Sequence, residues 1–205
     1  EKITSLIEKE ANLPIGKFKV AYCPERVIPG RTMKELVEND RVVGGITNEA
    51  AIQAEKLYKT FCKGDIYRTN ARTAELVKLI ENAYRDVNIA FANEISIVSS
   101  QFDINVFDLI RLANKHPRVN ILTPGCGVGG HCIAVDPWFI VEKSPQNTQI
   151  IKSARSVNDY KSEWIIKLIE ESSVKFKKAN KKDPIIGCLG MSFKPDIDDL
   201  RESPA

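Results

Sequence analysis

The chain has no long hydrophobic run and almost no net charge, and each absence excludes a class of protein. No stretch of its 205 residues approaches the roughly 18 apolar residues of a membrane span, and no signal peptide opens it. The net charge of +3 is too small to indicate nucleic-acid binding, so the basic run at 175–182 is interpreted as a solvated helix end. We therefore expect a cytoplasmic globular protein with neither nucleic acid nor membrane as a partner.

Paired cysteine motifs are absent and histidine is scarce, which argues against disulfides and bound metal. The five cysteines are odd in number, widely spaced and form no Cys-x-x-Cys pair, as is typical of a reducing compartment. Only two histidines are present, and the spacing of Cys126, His131 and Cys132 matches no usual zinc pattern. The sequence therefore predicts no metal site.

Hydrophobic periodicity predicts an α/β region followed by long helices. The predicted elements are a helix at 2–11, strands at 18–22, 41–46 and 66–68, helices at 73–100, 104–116 and 148–178, a short helix capped by Asp136, and a strand at 184–190. Between the strands at 41–46 and 66–68, a helix capped by Thr47 or Asn48 completes the strand–helix–strand rhythm of an α/β fold. Its predicted buried stripe is Ala50, Ala51, Ala54, Leu57 and Phe61.

The pattern divides the chain into an α/β part, a helical centre and the start of a further α/β domain. Because the chain opens on a helical pattern without Met and stops just after the strand at 184–190, we expect it to be part of a longer protein. The helical centre is too thin to bury three long apolar faces, which predicts a homodimer through residues 73–170. Coverage of those faces by other parts of the full chain is the alternative.

The loop at 124–137 combines backbone freedom with reactive side chains. Four of the six residues from 125 to 130 are glycine, and glycine takes positive φ without steric cost. The loop runs through His131 to the thiol of Cys132, with the carboxylate of Asp136 four residues on, which favours nucleophilic chemistry. A tight turn around an inert cysteine is the alternative. A Cys–His hydrolase is disfavoured because adjacent side chains rarely point at each other.

Two other stretches carry polar residues suited to a site. Glu25 and Arg26 follow the strand at 18–22, at the edge where α/β folds usually bind ligands. Lys78 and Asn82 are spaced i, i+4 beside the apolar face of the long helix, where they could hold an oxyanion or a water. An ordinary solvated helix surface is the alternative for this pair.

Four separated stretches together resemble the nucleotide-sugar 6-dehydrogenases, the family that includes UDP-glucose and GDP-mannose dehydrogenases. They are 22–30, 74–82, 127–132 with Asp136, and 190–196 with 199–203, so the resemblance covers essentially the whole chain in order. It implies the end of an NAD-binding Rossmann domain at 1–70, a helical dimerisation and catalytic domain at 71–179, and the first strand of a Rossmann-like UDP-sugar domain at 180–205. The implied fold class is α/β with an all-α centre.

The resemblance also implies a reaction, the NAD-dependent oxidation of a C6 hydroxymethyl group to a carboxylate in two steps. Cys132 would form a thiohemiacetal and then a thioester, while Lys78 and Asn82 stabilise the oxyanion. Glu25 would be the general base for thioester hydrolysis, and Asp136 would activate or position water. The implied substrate-binding residues are Arg26, Arg85, Asn88, Arg118 (reaching across the dimer), Gly129, Gly130, His131 and Lys194. The implied cofactor contacts are Glu25, Cys132 and Arg201.

Two positions depart from the glucose-type members of the family. Pro29 stands where they carry a second carboxylate, and His131 stands where they carry Ser. Both occur in N-acetylhexosamine-type members, so the implied substrate is UDP-N-acetyl-D-mannosamine, with UDP-N-acetylglucosamine or UDP-glucose as alternatives. The glycine-rich turn that opens a Rossmann domain and holds the NAD pyrophosphate is absent. We therefore expect this chain alone to be inactive and a poor NAD binder. A role only as a helical dimerisation core is the alternative function for the chain in this form.

Overall fold

Seven helices and three strands make up the part of the chain that the computed structural model describes, residues 2–14, 17–28, 30–194 and 199–205. In chain order they are α1 (Lys2–Glu10), β1 (Ala21–Tyr22), α2 (Thr32–Glu38), β2 (Arg41–Gly45), α3 (Asn48–Tyr58), β3 (Ile66–Asn70), α4 (Ala71–Gln101), α5 (Val106–Ala113), α6 (Asp136–Lys143) and α7 (Gln149–Asn180). The predicted α/β class with long central helices is confirmed. None of the helices in these ranges combines the length and apolarity that crossing a membrane requires.

The chain folds as two compact units, Glu1–Ile80 and Glu81–Ala205. The first contains a three-stranded sheet in which β2 pairs antiparallel with β1 and parallel with β3. Because parallel neighbours need a crossover connection, α3 joins β2 to β3. Thr47 caps α3 by accepting a hydrogen bond from the Ala50 amide at 3.2 Å, which confirms one of the two predicted caps.

Three sequence predictions in the first unit need correction. Strand β1 is two residues long, whereas the sequence predicts 18–22, because its ladder with β2 pairs Ala21 with Gly45 and Tyr22 with Gly44 and does not reach residues 18–20. Helix α2 was missed because it has no buried residue and no side-chain cap, so it leaves no amphipathic signature. The buried stripe of α3 stops at Ala50 and Ala51, whereas Leu57 is 64% exposed.

The second unit contains α4 from Glu81 onward and the whole of α7, and both helices are free of proline and glycine along their full lengths. Small residues keep α4 close to its neighbours, since Ala83, Ala90 and Ala92 are buried. Helix α5 starts at Asn105, whose side chain accepts from the amides of Phe107 and Asp108. Both long helices confirm the predicted periodicity to within a few residues.

Two predictions in the second unit also change. Asp136 is the first residue of α6, Val135 holds the cap position, and no side chain caps this helix. The predicted strand at 184–190 does not form, and Ile185 and Leu189 are fully exposed. A strand is stable only when paired, and no described residue pairs with this segment. The division at 70 and 179 stays a prediction.

Candidate functional site

The glycine loop has an irregular backbone that its glycines make possible. Gly127 and Gly130 take φ of +141° and +78°, as the sequence predicts for this loop. Gly130 is buried, and a Cβ on it would lie 2.9 Å from the ring of Phe193. A Cβ on Gly129 would overlap the carbonyl of Glu202, and the Gly130 amide donates to that carbonyl at 3.3 Å. The carboxyl-terminal segment therefore packs directly on the loop.

Cys132 lies at the end of the loop, exposed and unbridged. Its carbonyl accepts hydrogen bonds from the amides of Val135 at 3.2 Å and Asp136 at 2.8 Å, which closes a turn leading into α6. The backbone turn therefore ties the thiol-bearing residue to the carboxylate-bearing residue. An accessible thiol is the first requirement of a cysteine nucleophile.

Asn82 and Asp136, two predicted catalytic residues, are in direct contact. The Asn82 Nδ2 donates to Asp136 Oδ2 at 2.6 Å, and Asn82 is buried on α4. A hydrogen bond to an ionised acceptor is roughly twice as strong as a neutral one, so this bond fixes the start of α6 against α4. Lys78 lies one turn earlier on α4, half-buried, and belongs to the first unit.

His131 and Arg201, predicted to bind substrate and cofactor, also lie together. The Nη2 atom of Arg201 is 3.5 Å from His131 Nε2, and the same guanidinium donates two hydrogen bonds of 2.8 Å to Asp199. Hydrogen bonding from Arg201 holds the pKa of Asp199 well below its usual range and raises the pKa of Arg201. A fixed, exposed cation therefore stands beside the loop.

Glu25 lies in the first unit, where its carboxylate is held at both oxygens. Oε1 accepts from the amides of Arg26 at 2.8 Å and Val27 at 3.2 Å, and Oε2 is 3.5 Å from Arg41 Nη1. The Glu25 side chain remains half-exposed, whereas that of Arg41 is buried. The carboxylate is therefore oriented yet open to solvent.

Arg41 is a buried cation that the sequence analysis missed. Its Nη2 donates to the Leu36 carbonyl at 2.9 Å, and its guanidinium lies 4.8 Å from the centre of the Tyr58 ring. The sequence feature that could have indicated a buried cation is the position of Arg41 as the first residue of an otherwise apolar strand. Nearby, burial raises the pKa of the Cys23 thiol, although a hydrogen bond with Tyr58 and the charge of Arg41 act to lower it.

The other predicted ligand contacts are at the surface. Arg26, Arg85, Arg118 and Lys194 are exposed, and the Asn88 Nδ2 donates to the Tyr84 carbonyl at 2.7 Å. Their roles stay predictions. Pro29 and the 195–196 part of the resemblance lie outside the described residues. Among the residues that are described, no group of three or more His, Cys, Asp or Glu side chains could hold a metal ion.

Comparison with known proteins identifies the family. Two of its models match: the UDP-glucose/GDP-mannose dehydrogenase family NAD binding domain over residues 1–62, and the central domain of the same family over 72–160. The chain is 59% identical over 191 residues to UDP-N-acetyl-D-mannosamine dehydrogenase of Campylobacter jejuni, covering 93% of this chain and 46% of that protein. It is 54% identical over 188 residues to NDP-N-acetyl-D-galactosaminuronic acid dehydrogenase of Ralstonia nicotianae, covering 92% and 43%.

The fold of the chain is also similar to that of a solved dehydrogenase structure. The structure of a UDP-D-ManNAc dehydrogenase from Pyrococcus horikoshii matches with a TM-score of 0.90 at 47% identity, covering 99% of this chain and 49% of that one. The chain thus spans about half the length of the curated relatives it matches.

The first unit fits part of an NAD site. A cleft at the carboxyl ends of β2 and β3, where doubly wound folds bind ligands, is lined by polar groups of Thr47, Asn48, Arg68 and Asn70. These groups can hydrogen-bond to a nucleotide, but no glycine-rich turn is present to hold its pyrophosphate. With both domain models matched in chain order, the chain belongs to the UDP-glucose/GDP-mannose dehydrogenase family.

Proposed function

We propose that the full-length protein containing this chain is a cytoplasmic NAD-dependent dehydrogenase that converts UDP-N-acetyl-D-mannosamine to UDP-N-acetyl-D-mannosaminuronate. The observation that carries the proposal is the hydrogen bond from Asn82 to Asp136, because Asp136 is also joined to Cys132 by the backbone turn. The relatives named for N-acetylhexosamine substrates support this sugar class. UDP-N-acetylglucosamine and UDP-glucose are the alternatives within the reaction class.

The chemistry is the removal of two hydrides from one carbon, and NAD⁺ is the group that accepts them. The Cys132 thiolate adds to the aldehyde-level carbon and gives a thiohemiacetal. Loss of the second hydride converts this adduct to a thioester, which water hydrolyses to the carboxylate and the free thiol. A thiol suits both steps because it is strongly nucleophilic and leaves readily.

The other predicted catalytic residues serve charge and proton transfer in this proposal. The Lys78 ammonium and the Asn82 amide stabilise the oxyanion of the adduct. The Asp136 carboxylate accepts the Asn82 bond at Oδ2 and has further lone pairs with which to position a water. Glu25, half-exposed and oriented by two backbone amides, takes the proton of the water that attacks the thioester. For Lys78 and Glu25 the support is the motif resemblance.

A panel of UDP-sugars tests the proposal. The full-length protein is incubated with NAD⁺ and each sugar, and NADH absorbance is followed to completion. We expect two NADH per UDP-N-acetyl-D-mannosamine and much slower turnover of the N-acetylglucosamine and glucose compounds. Absence of NADH with every sugar would contradict the dehydrogenase proposal, and faster turnover of another sugar would correct the substrate.

We also propose that the central helices form a homodimer. The supporting observation is a row of exposed apolar side chains at helical spacing along α4: Leu76, Ile80, Tyr84, Phe91 and Val98. Beyond the helix, Phe102 and Phe107 are exposed as well. A contiguous row of exposed apolar side chains is characteristic of interaction surfaces. Other parts of the full-length chain are the alternative cover.

Light scattering coupled to size exclusion tests the dimer. We expect a dimer for the wild type and a monomer for Phe91→Glu, which puts a charge into the apolar row. Ser100→Glu places the same charge two residues past Val98, off the row, and should leave the dimer intact. A monomeric wild type, or equal behaviour of the two variants, would contradict the interface.

A further inference from the structure

The amino end of the glycine loop is attached to a chain of buried polar side chains that its own sequence does not reveal. The Gly125 amide donates to Asn93 Oδ1 at 2.9 Å, and Asn93 on α4 has no solvent exposure. The Asn93 Nδ2 donates to Asn158 Oδ1 on α7 at 2.9 Å. The Asn158 Nδ2 donates to Asp86 Oδ1 at 2.8 Å and to the Asp86 carbonyl at 3.1 Å. Four residues thus connect α4, α7 and the loop.

Chemistry fixes the direction in which the hydrogen bonds of this network run, from donor to acceptor. An Asn side chain has a donor end and an acceptor end, and either end can face a neighbour until the network decides. The Asp86 carbonyl can only accept, so the Asn158 amide must present its NH₂ to Asp86 and its oxygen to Asn93. Asn93 must then present its NH₂ to Asn158, which leaves its oxygen for the Gly125 amide. One acceptor therefore orients two amides in series.

The anchor of the chain is itself fixed. The Arg155 Nη1 donates to Asp86 Oδ1 at 2.7 Å, and both residues are buried. Each bond of this network resists opening, since a broken bond leaves an unpaired group in a low-dielectric interior. Within the described part of the chain, Asp86 Oδ2 and Arg155 Nε are buried without a hydrogen-bond partner, so the anchor is held by the other atoms of the pair. The next loop residue is held as well, because the Cys126 carbonyl accepts from Ser162 Oγ at 2.9 Å.

We propose that Asn93 is a positioning residue for the reaction: its oxygen, oriented by Asn158 and Asp86, fixes the loop that carries Cys132. The inference rests on the proposed function, since it assigns a role in placing the nucleophile. Displacing a catalytic group by about 1 Å can cost about 100-fold in rate, so an anchor seven residues before the thiol has a measurable effect.

Removing the oxygen is the principal test, made in the full-length protein. Asn93→Ala should lower kcat by about 10- to 100-fold with KM for the UDP-sugar within about threefold of wild type. Hydrogen exchange of the loop peptide at 124–132 should become about threefold to tenfold faster, as expected for one lost hydrogen bond. Should Asn93→Ala fail to fold, Asn158→Ala removes the orienting partner and is expected to show the same changes, smaller in size.

Three variants separate positioning from stability. Ser99→Ala removes a buried hydroxyl of α4 that donates to the carbonyl of Ser96 on the same helix. Gly125→Ala keeps the amide donor, and its Cβ would have open space. Both should keep wild-type kcat and loop exchange. Asn93→Asp keeps an oxygen for the Gly125 amide but loses the donor to Asn158. Its kcat should therefore exceed that of Asn93→Ala, although its melting temperature should be lower than that of Asn93→Ala.

Some results of these experiments would overturn the role of Asn93, and others would overturn the proposed function. Unchanged loop exchange or unchanged kcat in Asn93→Ala overturns the proposal, as does a kcat that follows melting temperature across the variants. If the wild type makes no NADH with any sugar, the proposed function fails. Loop exchange in Asn93→Ala and Gly125→Ala then still decides whether Asn93 holds the loop.

Discussion

Two segments of the second unit, the loop at 124–137 and the segment at 184–190, differ in the contacts that they make with the rest of the unit, although both are rich in glycine and hydrophobic residues. The loop bonds to Asn93 and Ser162 near its start and to Asn82 at its end. The segment has Ile185 and Leu189 fully exposed and lies in no sheet. A stretch without regular secondary structure is therefore held in place where side chains of neighbouring helices hydrogen-bond to it.

The largest difference should appear when one glycine in each segment is changed to alanine. Gly130→Ala forces a side chain into positive φ and against Phe193, so we expect the free energy of unfolding to fall by about 2 kcal/mol. Gly187→Ala meets nothing within 4 Å and should change it by less than about 0.5 kcal/mol. Urea unfolding measures both. Equal losses would show that the loop is no more constrained than the segment.

The amide that secures the end of the loop should matter less than Gly130 but more than an exposed amide. Asn82→Ala removes a buried bond to the Asp136 carboxylate and should cost about 1.5 kcal/mol. Asn180→Ala removes an exposed bond to the Phe176 carbonyl, just before the 184–190 segment, and should cost about 0.5 kcal/mol or less. The same unfolding series compares them, and a neutral Asn82→Ala would refute the anchoring role.

Behind the loop, Lys161 should give stability a pH dependence. It is buried, donates to Ser96 Oγ at 2.7 Å and lies 3.9 Å from the centre of the Trp164 ring. Burial lowers its pKa in the folded protein below the usual 10.5. Between the lowered pKa and 10.5 the unfolded chain binds more protons than the folded one, so stability rises with pH there.

A pair of lysine variants isolates this effect. Lys161→Met should flatten the rise in unfolding free energy at alkaline pH. Lys167→Met, at an exposed position of the same helix and also near an aromatic ring, should leave the rise as in the wild type. Identical pH profiles for the wild type and Lys161→Met would contradict the pKa shift.

The smallest effect concerns the labelling of the cysteines, which compares two exposed thiols with a partly buried one. Cys132 in the loop and Cys188 in the segment are both exposed, so iodoacetamide near neutral pH should label both readily. Cys23 should react more slowly because burial raises the pKa of its thiol and the thiolate is the reactive form. Peptide mass spectrometry with and without urea measures the rates. Labelling of Cys23 as fast as Cys188 in the folded protein would contradict this order.

The sequence predicts the long helices well because α4 and α7 carry periodic apolar residues without a break. It predicts the positive φ in the glycine loop for the same local reason, since glycine takes positive φ without steric cost. It cannot predict Asn93, Asn158 or Asp86 as loop supports, because a buried amide and a surface amide have the same letter. The segment at 184–190 has the apolar composition of a buried strand, but pairing depends on residues elsewhere.

The central claim is that the ordered loop presents the reacting thiol, and two serine variants of the full-length protein test it most directly. Acid formation from UDP-N-acetyl-D-mannosamine is measured for Cys132→Ser and Cys188→Ser, with dimer content checked for each. We expect Cys188→Ser to match the wild type and Cys132→Ser to form no uronic acid at steady state while remaining dimeric. Acid formation by Cys132→Ser at the wild-type rate would contradict the account.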